Sequence, residues 1–125
     1  MDEDHPVKIH SFSGKVAENE LFFQVTSLGG RSLYVWVGMG DGRMDDLALA
    51  APTPYDASKG RLPTTTKVLG NSGQNDTEAL AAKLSKRLGK PVLLSLNSNF
   101  QASSPVWADL EKILFQEIKL TPQAF

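Results

Sequence analysis

Residues 32–37, read Ser-Leu-Tyr-Val-Trp-Val, constrain the fold more than any other stretch of this chain. Successive side chains of a strand point to opposite faces. Leu33, Val35 and Val37 therefore share one face, and Tyr34 and Trp36 share the other. Both faces are apolar, which places the strand in the middle of a sheet with material over both sides. The preceding segment, 20–28, alternates in the same way, with Leu21, Phe23 and Val25 against Phe22, Gln24 and Thr26. Leu28-Gly29-Gly30-Arg31 joins the two segments as a hairpin turn, because glycines accept positive φ without a Cβ clash.

Further strands are read at 7–16, with Val7, Ile9, Phe12 and Val16 and an interruption near Gly14, at 46–51, and at 63–69, where Thr64-Thr65-Thr66 supplies β-branched residues. The pattern then becomes helical. Asn75 and Glu78 suit a capping box, Leu80, Leu84 and Leu88 mark one face, and Gly89 with Pro91 ends the element. Residues 92–96 form a short apolar strand. Ser104-Pro105 opens a second helix with Val106, Leu110, Ile113, Leu114 and Phe115 or Ile118 inward, closed by Thr121-Pro122. The order βββββαβα, strands before helices, predicts an α+β fold: a six-stranded, mainly antiparallel sheet with two amphipathic helices. With 125 residues, 41% of them hydrophobic, the chain reads as a single domain, 1–125, with residues 1–6 as a flexible N-terminus.

Two helices cover one face of such a sheet. With the compact Leu33, Val35 and Val37 packed under the helices, Phe22, Tyr34 and Trp36 fall on the other face, forming an aromatic patch of the kind that marks an association surface. The opposite parity, with the helices over Tyr34 and Trp36, is the alternative. Phe22, Tyr34 and Trp36 are the candidate partner-interface residues. The competing reading folds loops 38–45 and 52–62 over that patch.

No constellation for chemistry emerges. There are 13 basic and 14 acidic residues, a net charge of -1, which argues against broad electrostatic binding of nucleic acid or of a membrane surface. The absence of cysteine excludes disulfides, thiolate metal sites and a cysteine nucleophile. The acidic start Met1-Asp2-Glu3-Asp4 is unlike a signal peptide, no apolar run approaches the roughly 20 residues of a membrane span, and the sequon at Asn75 is read as incidental. Gly38, Gly40 and Gly42 follow a strand, but Arg43 stands where the dinucleotide fingerprint needs its third glycine, and a strand rather than a helix follows. Asp41, Asp45 and Asp46 lack calcium-loop spacing. His5 and His10 have no carboxylate at metal-ligand spacing and read as surface residues. The threonine run has no base or oxyanion hole in view. Lys83, Lys86, Arg87 and Lys90 read as the solvated face of the first helix. The expectation is a non-enzyme with no catalytic residues, no metal and no cofactor, and with neither nucleic acid nor membrane as partner.

Several blocks together carry a resemblance. Leu33-Tyr34-Val35-Trp36-Val37-Gly38, Leu47-Ala48-Leu49-Ala50, Tyr55-Asp56 and Thr65-Thr66-Lys67-Val68-Leu69-Gly70 are similar, in order and spacing, to blocks of the proteasome assembly chaperone 4 family. The likeness continues through Leu80-Ala81-Ala82-Lys83-Leu84, Val92-Leu93-Leu94-Ser95-Leu96-Asn97 and the terminal helix, over about residues 8–120. The resemblance implies a chaperone that heterodimerises with a proteasome assembly chaperone 3-like protein and promotes assembly of the alpha ring of the proteasome core particle. It implies contact with a proteasome alpha-type subunit, the fifth by analogy. The acidic start and the lack of a long apolar run separately read as a cytoplasmic location, with the nucleus also open to a chain this small. The alternative is a dimeric α+β adaptor or scaffold subunit unrelated to the proteasome.

Overall fold

Alternation along the strands decides which side of the sheet the helices take. The computed structural model of the chain describes residues 7–16, 19–29, 31–38, 47–52, 63–69, 76–97 and 105–125. The elements are β1 (Val7–Val16), β2 (Asn19–Leu28), β3 (Ser32–Gly38), β4 (Leu47–Ala51), β5 (Thr64–Leu69), α1 (Asp76–Leu88), β6 (Val92–Asn97) and α2 (Pro105–Leu120), then a 3-10 turn, Pro122–Ala124. This is the expected βββββαβα order. The six strands form one sheet in the order β1-β2-β3-β6-β4-β5. Every pairing is antiparallel except β3 with β6, which run parallel at the centre. The doubly apolar β3 is thus an interior strand, flanked by β2 and β6.

The register brings the compact apolar residues together. Val25 lies opposite Val35, Val35 beside Leu94, and Leu94 opposite Ala48, and all four are fully buried. Leu80 and Leu84 from α1 and Leu110 and Leu114 from α2 close over them, also with zero exposure. Removing apolar area from water at about 25 cal/mol per Å² makes this layer the main source of stability. Helix α1 packs on β4, β5 and β6, while α2 lies toward β1.

Two glycines with positive φ end elements where the sequence places turns. Gly29 (φ 67°) follows β2, and Arg31 N–H donates to the Leu28 carbonyl at 3.3 Å. Gly89 (φ 70°) follows α1, and its N–H donates to the Ser85 carbonyl at 2.8 Å.

Three expectations need correction. β1 is continuous through Gly14; a Cβ there would lie 2.8 Å from the Ile113 Cδ1, so the glycine allows α2 to approach rather than breaking the strand. His10 is not a free surface side chain: its Nε2 lies 2.8 Å from a Glu117 carboxylate oxygen, with side-chain exposures of 30% and 20%. The basic face of α1 is not wholly solvated, because Lys83 pairs with Glu111 at 3.0 Å and the Arg87 guanidinium sits 5.8 Å from the Phe115 ring centre. Glu78 accepts from the Thr65 hydroxyl on β5 at 3.4 Å, whereas Asn75 lies outside the described residues.

Candidate partner-binding face

Side chains of odd and even strand positions separate cleanly across the sheet. On β2, Leu21, Phe23 and Val25 are buried under the helices, and Phe22 and Gln24 are exposed on the opposite side. On β3, Leu33, Val35 and Val37 are fully buried and Tyr34 and Trp36 are partly exposed. The register pairs Phe22 with Gly38, Gln24 with Trp36 and Thr26 with Tyr34, so the three candidate aromatics occupy one face of adjacent strands. No described element packs on that face. Loops 38–45 and 52–62, which the competing reading folds over it, fall almost entirely outside the described residues.

Gly38 shapes the patch. A Cβ at this position would stand 2.5 Å from Cη2 and 2.6 Å from Cζ2 of Trp36, so the six-membered ring of the indole occupies the space that a side chain at 38 would need. Two residues along a strand share a face, and the ring fills the space where residue 38 has no side chain. Ser11, Phe22, Gln24, Tyr34 and Trp36 line an open depression of about 450 Å³, which Phe12 and Phe23 also border. Leu93 sits beside Tyr34 and opposite Leu49, extending the apolar strip to β6 and β4. Ile9 on β1 (64% exposed) pairs with Thr26, and Leu28 (39%) with Val7, on the other flank. Among the described residues of this face the charges, Lys15 and Glu20, lie opposite each other at the far end of β1 and β2. An aromatic centre with a polar rim is the anatomy of a protein–protein interface core.

One polar group stands out within the patch. The Tyr34 hydroxyl is enclosed and makes no well-formed hydrogen bond, only a weak interaction with the Ser95 side chain. Burial pushes the phenol above its ordinary pKa of 10.0, an effect that the Ser95 side chain on β6 partly offsets. Ser95 itself lies beside Trp36 in the register and is fully buried although it belongs to the open face. Gln24 was placed beside Phe22 from the sequence, but Ser11 and Ser95 were not singled out. Strand parity would have found them, because each sits directly across from a residue of the patch or alternates with one.

The remaining sequence candidates do not converge. His10 and Thr65 lie on the helix-covered face, each bonded to a helix carboxylate, at opposite edges of the sheet. Asp41, Asp45, Asp46, Gly40, Gly42 and His5 lie outside the described residues.

Comparisons with known proteins agree with this architecture. The family model for proteasome assembly chaperone 4 matches residues 20–97, which run from the aromatic β2 to the end of β6. The human proteasome assembly chaperone 4 is 30% identical over 120 residues, covering 95% of this chain and 91% of that protein. The mouse protein is 28% identical over 123 residues, covering 98% and 94%. The fold is similar to that of a chain in the crystal structure of a chaperone complex for yeast 20S proteasome assembly, with a TM-score of 0.63 at 15% identity over 94% of this chain and 97% of that one. With a matching family model over most of the chain and relatives aligned almost end to end, the chain belongs to the proteasome assembly chaperone 4 family, a family of non-catalytic assembly factors.

Proposed function

We propose that this chain heterodimerises with a proteasome assembly chaperone 3-like protein through the face carrying Phe22, Tyr34 and Trp36, and that the pair promotes assembly of the alpha ring of the proteasome core particle. The observation that carries the reading is the aromatic face of the sheet, which no described element of the chain covers. The family membership and the likeness to a chain of a yeast 20S assembly chaperone complex support it. The proposed client is a proteasome alpha-type subunit, the fifth by family analogy, met in the cytoplasm and also in the nucleus. A chaperone of this kind works by mass action. It stabilises whichever subunit arrangement it binds, by an amount set by its concentration relative to its dissociation constant, and it leaves when later contacts outcompete it.

The decisive experiment is affinity purification of the tagged chain at mild salt, with co-purifying proteins identified by mass spectrometry. Alpha-type subunits and a second small chaperone are the expected partners. Recovery of the chain with neither, or with unrelated trafficking or signalling proteins, rejects the reading in favour of an unrelated adaptor. The face is tested by co-expressing Trp36→Ala with the partner chaperone and measuring dimer by native mass spectrometry. Loss of a buried aromatic anchor is expected to weaken the dimer by about 2 kcal/mol or more, with the circular dichroism of the chain unchanged. Full dimer recovery with a folded Trp36→Ala would remove the aromatic face from the interface.

A further inference from the structure

A second surface lies on the outer side of the helices, away from the sheet. Arg87 at the end of α1 and Lys112, Phe115, Gln116, Lys119 and Leu120 along α2 line a groove of about 500 Å³. Its floor is apolar: Phe115 is half-buried and carries the Arg87 guanidinium 5.8 Å from its ring centre, and Leu120 is 71% exposed. Of the three acids on α2, Glu111 and Glu117 are committed elsewhere, and the exposed Asp109 lies outside the groove lining. Glu111 accepts from Lys83 at 3.0 Å and from the Trp107 indole N–H at 2.9 Å. Glu117 faces His10 and accepts from the Thr121 hydroxyl at 3.3 Å. Arg87, Lys112 and Lys119 therefore have no carboxylate partner among the described residues.

Cations in the last turn of a helix complement its dipole, which accounts for Arg87 and Lys119. It does not account for Lys112 in the middle of α2, or for a leucine left mostly exposed beside these cations. Unpaired positive charge around an apolar floor calls for an occupant with the complementary pattern. We infer that the groove between α1 and α2 docks an acidic peptide segment of a protein partner, one with an aliphatic or aromatic side chain set among carboxylates. The apolar floor favours a peptide over nucleic acid, which would need a wider basic surface than three side chains supply. The groove and the aromatic face lie on opposite sides of the molecule, so both can be occupied at once, and the inference stands whether or not the aromatic face pairs with another chaperone.

The test is fluorescence anisotropy of the full chain with a labelled synthetic peptide carrying a central Phe-Leu pair flanked by aspartates and glutamates. Saturable binding that weakens with salt is expected. The double variant Lys112→Glu/Lys119→Glu should lose about tenfold in affinity, because it replaces two attractive rim pairs with repulsive ones, and Leu120→Ser should also weaken binding. Lys86→Glu, on the same helix as Arg87 but outside the groove, should bind as the parent chain does. Thermal melts of each variant separate lost binding from lost folding. Absence of saturable binding overturns the proposal, as does an equal loss in Lys86→Glu. Equally tight binding of a peptide with serines in place of Phe-Leu, or of a single-stranded oligonucleotide, also overturns it. If neutralising Asp2, Glu3 and Asp4 together tightens peptide binding severalfold, the occupant is the chain's own N-terminal segment and the assignment to a partner fails.

Discussion

Phe22 and Phe23 are consecutive, chemically identical and separated by the thickness of the sheet. Phe23 is 1% exposed, stacks on Phe12 at 4.7 Å between ring centres with 3° between planes, and sits in the layer that the helices close. Phe22 is 40% exposed and belongs to the aromatic depression with Tyr34 and Trp36. The two faces also treat polar groups differently. On the covered side the buried Ser85 hydroxyl donates to the Lys90 carbonyl at 2.8 Å, while on the other the enclosed Tyr34 hydroxyl makes only a weak interaction with Ser95 and no well-formed bond. The covered side is complete by the usual standard, in which buried polar atoms are bonded and apolar atoms packed. The described part of the open side meets neither condition. An apolar strand pattern therefore identifies burial, but whether the chain or a partner provides it depends on which parity the helices take.

The sharpest break of that comparison is to shorten each phenylalanine in turn. Phe23→Ala should destabilise the isolated chain by about 3–5 kcal/mol, the range for aromatic residues removed from a packed core, read as a shift in urea midpoint. A shift under about 1 kcal/mol would mean that the helix-covered layer is loosely packed. Phe22→Ala should change the same midpoint by about 0.5 kcal/mol or less, as for other surface changes. It should nevertheless weaken pairing with the partner chaperone in an isothermal titration, by roughly tenfold if it flanks the anchor. Large destabilisation of the isolated chain by Phe22→Ala would show that part of the chain already covers the face.

Much of this division could be read in advance, for a simple reason. The period of two along β2 and β3 survives folding intact, so Leu21, Phe23, Val25, Leu33, Val35 and Val37 arrive on one side together. Element order and the two helical stripes were legible on the same ground. Pairing partners were not, because nothing local to 32–37 states that its second neighbour will be β6, parallel to it and reached only after β4, β5 and α1. The inward stripe expected for α2 holds at Leu110, Leu114 and Ile118, which are buried. Trp107, three residues before Leu110 and also buried, belongs to the same stripe and was not read from the sequence, and the side chain of Val106 lies outside the described residues. The His10–Glu117 contact joins residues 107 positions apart, and the burial of Phe125 beside Phe12 follows a helix stop, so neither had a local signal. Of the site, the three aromatics were legible as a set. The close approach of Trp36 to Gly38 and the poorly satisfied hydroxyl of Tyr34 depend on three-dimensional neighbours.

That hydroxyl yields the smallest expected effect and a test of the open face that needs no partner. Leaving a buried polar atom without a hydrogen bond costs about 1–3 kcal/mol when the site is dry, and less here because the Tyr34 ring is only partly covered. Tyr34→Phe keeps the ring and removes a hydroxyl that only Ser95 weakly satisfies, so the isolated chain should become slightly more stable, by up to about 1 kcal/mol. The alkaline limb of the stability curve gives an independent reading. Because burial raises the Tyr34 pKa above 10.0, the native state holds this proton more tightly than the unfolded chain does. Above pH 10 the unfolded state then binds fewer protons than the native one, so stability falls as pH rises from the unfolded pKa toward the folded one, and the group contributes no pH dependence below that window. Lysines titrate nearby, which makes the difference between parent and variant the useful quantity. It should be flat up to about pH 9.5 and widen in favour of Tyr34→Phe at higher pH. Superimposable curves with equal stability would mean that water reaches the hydroxyl freely. The open face would then be looser at its centre than the packing of Tyr34, Trp36 and Ser95 describes.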